Sequence, residues 1–140
     1  MRGLDALKAV GVAVLVLALN YGVAFLAVAA DAQFVEPGHP QSYYAAAAPR
    51  IAGWSAPFAG ALLLAIAAFL LGARRPQRNA LKFAGLIWLA YIVIDLGSGA
   101  AAGDAMLSAQ MAVSMGLALA GALAGGALAK SRSRSLETPS

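Results

Sequence analysis

Residues 9–30, AVGVAVLVLALNYGVAFLAVAA, carry no charged side chain. As an α-helix rising roughly 1.5 Å per residue, the stretch would extend about 33 Å, enough to cross a hydrocarbon core of about 30 Å. Inside a bilayer no water satisfies backbone N–H and C=O groups, so such a run must close its own hydrogen bonds as a helix. Arg2 and Lys8 precede it, and the small residues leading to Ala32 have signal-peptidase-like spacing. A secretory signal has an apolar region of roughly 7–15 residues, and this one is clearly longer, so a retained anchor is expected over a cleaved leader.

Three further runs follow the same logic, at residues 51–72, 81–100 and 105–129. The second begins with Trp54 at interface depth and contains Pro57, which removes one backbone bond and predicts a kink. It ends at Arg74-Arg75-Pro76. The third run closes somewhere between Gly97 and Ala102, and the fourth is followed by Lys130, Arg132 and Arg134 in a tail too polar to bury. Residues 1–130 thus form one transmembrane domain, and 131–140 are expected to be a disordered cytoplasmic tail. Residues 31–50 make the longest polar connection. Pro37, Gly38 and Pro40 block a continuous helix there, Tyr43 and Tyr44 suit the headgroup layer, and Ala45–Ala48 allow a single interfacial turn before Pro49.

Composition agrees with this reading: 61% of the 140 residues are hydrophobic and 11% charged, against roughly 45–50% and about 25% in soluble domains. With no cysteine, disulfides, thiolate catalysis and cysteine metal sites are excluded. The net charge of +4 does not point to nucleic acid, because its distribution follows membrane topology. Arg2, Lys8, Arg74, Arg75, Arg78, Lys82, Lys130, Arg132 and Arg134 all fall on one side of a four-span arrangement, with Arg50 alone opposite. Basic loops near span ends stay in the cytoplasm, so both termini are expected there. Asp31, Glu36 and Asp104 fall on the other side. The expected fold is therefore an all-α integral membrane protein, a four-transmembrane-helix antiparallel bundle with both termini cytoplasmic. The alanine-rich usage suggests a bacterial inner membrane.

Between helices in lipid, close packing and hydrogen bonds supply the association. Gly121-x-x-x-Gly125 in the fourth helix permits two backbones to approach closely, and internal packing is expected ahead of a dedicated homodimer face. Asp95 is the one ionisable residue inside an apolar run, which makes it a functional candidate by default. It lies about 20 Å along its helix from Lys82, Asn20 about 18 Å from Lys8, and Gln110 about 9 Å from Asp104, so the three share a level in the outer leaflet. Trp88, Tyr91, Asp95 and Ser98 recur on one face of the third helix, as do Gln110, Ser114, Gly121 and Gly125 on the fourth. Setting these stripes toward each other predicts a polar cluster of Asp95, Asn20, Tyr91 and Gln110, in which a neutral Asp95 donates to Asn20 or Gln110. The competing structural reading has the helix ending near Gly97 and Gly99, with Asp95 in the wet headgroup layer or near Arg50.

His39 reads as an exposed loop histidine, and Met111 and Met115 as packing, since neither completes a metal set. No H-E-x-x-H, G-x-S-x-G or Walker loop is present, so neither an enzyme nor a cofactor is expected. The expected role is accessory or structural, through helix packing with a membrane partner or in a homo-oligomer, in contact with membrane lipids. A small transporter or channel, proton-coupled through Asp95, is the alternative.

Overall fold

The computed structural model describes residues 3–74, 79–102 and 108–135. They form α1 (Gly3–Ala30), a π-helical turn (Asp31–Val35), α2 (Gln41–Ala73), α3 (Ala80–Ala102) and α4 (Ala109–Ser135), with no strand among them. All four helices are long and apolar enough to cross a membrane. Arg2, Arg75, Arg78 and Asp104, which enter the charge count, lie outside the described residues, as do 136–140 of the tail. Helix α4 continues through Lys130 and Arg132 to Ser135, further than the apolar run at 105–129 extends. Cations are favoured at this helix end, where the backbone dipole is negative.

The connection expected over 31–50 is much shorter in the structure. Helix α1 widens into the π turn, which closes when the Glu36 N–H donates to the Asp31 carbonyl five residues earlier at 2.9 Å. Only residues 36–40 remain outside helix. Gly38 supplies the reversal at φ +89°, a region that side-chain-bearing residues rarely enter. Pro40 then caps α2 in an extended conformation at φ −68°, ψ 158°. The Tyr44 hydroxyl donates to the Glu36 carbonyl at 2.6 Å and accepts the His39 N–H at 3.1 Å, while the Tyr43 hydroxyl donates to the Glu36 carboxylate. His39 stacks on Tyr43 with ring centroids 4.2 Å apart. These contacts fasten the loop onto the first turn of α2, so residues 45–48 belong to one helix that runs through Pro49 and Pro57. At 33 residues, α2 is about 50 Å long, well beyond a hydrocarbon core of about 30 Å.

Successive helices alternate in direction, and the packed pairs are α1 with α2, α1 with α3, α2 with α3, α2 with α4, and α3 with α4. The order around the bundle is therefore α1, α2, α4, α3, with α2 and α3 across the short diagonal and α1 and α4 at opposite corners. The α2–α4 pair is parallel and backbone-close. A Cβ on Gly121 would overlap the Ala61 carbonyl, and one on Gly125 the Ala65 carbonyl. A Cβ on Gly72 would lie 2.7 Å from that of Ala129, and Gly126 closes in the same way on Ala84 of α3 at 3.0 Å. Leu64 and Ile87 are the largest fully enclosed side chains, and alanines at 9, 13, 68, 84, 118 and 122 share the interior with Val16, Leu17, Phe83, Tyr91 and Ile92. Large apolar side chains instead cover the outside, with Phe25 73% and Phe58 66% exposed. A surface of this kind suits a hydrocarbon solvent.

Candidate functional site

Asn20 of α1 and Tyr91 of α3 meet at mid-bundle, both more than nine-tenths buried. The Asn20 amide Nδ2–H donates to the Tyr91 hydroxyl at 3.1 Å. Gly60 of α2 makes room for them: a Cβ there would sit 3.1 Å from the Tyr91 oxygen and 3.3 Å from Asn20 Nδ2. The sequence places Asn20 and Tyr91 in one polar cluster, and the structure brings them together. It leaves Asn20 Oδ1 buried and without a hydrogen-bond partner. Ser55 Oγ on α2 is in the same condition, and sequence reasoning missed it because a single serine in an alanine-rich helix leaves no periodic signal.

Asp95 stands one helical turn beyond Tyr91 on α3, half-buried. Helix α3 continues past it to Ala102, so the helix does not end at Gly97 or Gly99. Its backbone carbonyl accepts the Ser98 hydroxyl at 2.8 Å, and among the described residues its carboxylate has no hydrogen-bond partner. Neither Asn20 nor Gln110 bonds to it.

Gln110 departs from the expected cluster. Its side chain is exposed and its Nε2–H donates to the Gly53 carbonyl of α2 at 2.8 Å. The reason lies in the glycine seam: Gln110, Gly121 and Gly125 share a face, and Gly121 and Gly125 pack on α2 rather than α3. The destination is chemically specific. Pro57 has no N–H, so the carbonyl four residues earlier, that of Gly53, lacks its helical donor. Gln110 fills that gap, and the missing side chain at Gly53 leaves space for the amide. Membrane helices tolerate internal proline when a neighbour re-satisfies the freed carbonyl in this way.

Further polar links cross between the long helices. The Trp88 indole Nε1–H donates to the Met115 carbonyl at 3.1 Å, joining α3 to α4. The Tyr21 and Ser98 hydroxyls approach to 3.5 Å, joining α1 to α3. Outside the bundle interior, one groove lies near Lys8 and Arg74 and another near Asp31 and Arg50, and neither is lined by Asp95, Asn20 or Tyr91. Helix α1 also carries an open small-residue pair that sequence reasoning overlooked, exposed Ala18 and Gly22, with nothing within 4 Å of a Cβ on Gly22. No protein-family model, curated protein or solved structure matches the chain.

Proposed function

We propose that the protein is a small accessory membrane protein, inserted as four spans with both termini in the cytoplasm, which acts by packing against a membrane partner. One observation carries this reading: polar side chains on three of the helices, and the glycine seam of α4, are engaged in holding one helix to another. Asn20 is joined to Tyr91, Gln110 to the Gly53 carbonyl and Trp88 to the Met115 carbonyl, while Gly121 and Gly125 are closed by α2. Helix α1, at a corner of the bundle, keeps Ala18 and Gly22 open on its outer side, a spacing that admits a second helix. The described cations Lys8, Arg74, Lys82, Lys130 and Arg132 fall at the end where α1 and α3 begin, with Arg50 at the other, which supports the orientation. A bacterial inner membrane fits the same composition.

The test is native mass spectrometry of the protein extracted from its own membrane in mild detergent, beside Gly22→Leu. The wild type should carry a stoichiometric protein partner, and Gly22→Leu should lose it while keeping its thermal stability. Wild type free of any protein partner would overturn the reading.

Asp95 favours a second reading, a proton-coupled transporter or channel, because it is a carboxylate within an apolar helix that makes no hydrogen bond among the described residues. Proton flux into liposomes that Asp95→Asn abolishes would establish it, and equal flux with the two proteins would remove it.

A further inference from the structure

Where α1 begins, α2 ends and α3 begins, a groove of about 490 Å³ combines two cations, Lys8 and Arg74, with walls from Val12, Leu15, Leu71 and Phe83. Both cations are exposed, and neither forms an ion pair among the described residues. Asp5 is the one acidic residue described at this end, and it does not line the groove. From Lys8 to Leu15 the α1 wall changes from charged to apolar over about 10 Å.

A concave apolar wall with a doubly cationic end matches one kind of neighbour, an amphiphile with a negative head and a hydrocarbon tail. We propose that this groove binds an anionic phospholipid, with its phosphate against Lys8 and Arg74 and an acyl chain along Val12, Leu15, Leu71 and Phe83. The inference rests on the reading of the bundle as membrane-spanning. A zwitterionic phospholipid offers the same tail, but its headgroup ammonium is repelled by the two cations. Each cation near a membrane surface contributes roughly a five- to sixfold preference for the anionic headgroup, so the pair gives about thirtyfold.

The experiment is native mass spectrometry of the delipidated full-length protein re-equilibrated with equal amounts of phosphatidylglycerol and phosphatidylcholine. Wild type should retain one phosphatidylglycerol in clear preference, and Lys8→Gln with Arg74→Gln should lose that preference about thirtyfold. Lys130→Gln with Arg132→Gln removes the same charge at the end of α4 and should leave it intact. Gly11→Trp provides a variant that keeps both cations. Gly11 lines the groove and a Cβ there meets nothing within 4 Å, so the indole should fill the apolar wall and displace the lipid while the bundle stays folded.

Equal retention of the two lipids by wild type, or equal loss in the two charge-neutralised proteins, would overturn the proposal. Stabilisation by inorganic phosphate to the same degree as by lipid would do so too. A chain that remains folded and monodisperse without detergent would overturn the membrane reading itself, a result distinct from a folded, detergent-bound protein that selects no lipid.

Discussion

Replacing Gln110 by Ala removes the donor that the Pro57 break requires. The Gly53 carbonyl then has no helical N–H and no side-chain partner, in a helix whose adjacent residues Ala52 and Ser55 are partly or fully buried. Leaving a buried acceptor unpaired costs about 1–3 kcal/mol, and hydrogen bonds between membrane helices average about 0.6 kcal/mol. Because Gln110 is exposed and water can approach, the expected loss is about 1 kcal/mol. Pro57→Ala restores an N–H at the position that closes the Gly53 carbonyl within α2, so the Gln110 bond becomes dispensable. In that background Gln110→Ala should cost close to nothing, giving a coupling energy of about 1 kcal/mol. The assay is unfolding of the four purified proteins by titration with sodium dodecyl sulfate in mixed micelles, followed by far-ultraviolet circular dichroism. An equal cost of Gln110→Ala with proline or alanine at 57 would refute the assigned role of Gln110.

The same titration tests three further consequences. Gly125→Ala drives a Cβ into the Ala65 carbonyl and should destabilise by about 1–3 kcal/mol, whereas Gly116→Ala on the same helix meets nothing within 4 Å and should stabilise by roughly 0.5–1 kcal/mol. Equal effects would deny the close α2–α4 seam. Tyr91→Phe strands the buried Asn20 amide and should cost about 1–2 kcal/mol, most of it recovered in the double variant Asn20→Leu with Tyr91→Phe; additive losses would contradict the pairing. Gly38→Ala, at φ +89°, should cost about 1 kcal/mol or more and speed proteolysis near residues 36–40, and an unchanged digestion pattern would argue against the turn.

The number and position of the helices are legible in the sequence because each apolar run has the length and composition of a helical span and is too long for a single strand. The segment at 31–50 is legible only in part: Pro37, Gly38 and Pro40 do stand outside helix, but α2 begins at Gln41 and runs through Pro49, and the loop is held by tyrosine contacts that local propensity does not contain. Depth was legible only to within a helical turn: a fixed rise per residue sets Asn20 level with Asp95, and the structure pairs Asn20 with Tyr91, one turn earlier on α3. Azimuth was not. Which neighbour Gln110 faces depends on which helix accepts the Gly121–Gly125 face, and a chain with this much alanine and glycine offers several faces of suitable spacing. The link between Gln110 and Pro57 needs the parallel α2–α4 pairing before it becomes visible. Lys8 and Arg74 appeared only as topology signals, because their groove exists only once α1 and α2 are placed side by side.

The absence of cysteine makes the four-span arrangement directly measurable, since each introduced thiol is the only one. His39→Cys, Asn79→Cys and Ser131→Cys, expressed in cells and treated with a membrane-impermeant maleimide, report the loop between α1 and α2, the start of α3 and the end of α4. Labelling of His39→Cys in intact cells, with Asn79→Cys and Ser131→Cys reacting only after the membrane is opened, is the expected result. Labelling of Asn79→Cys and Ser131→Cys from opposite sides would contradict it.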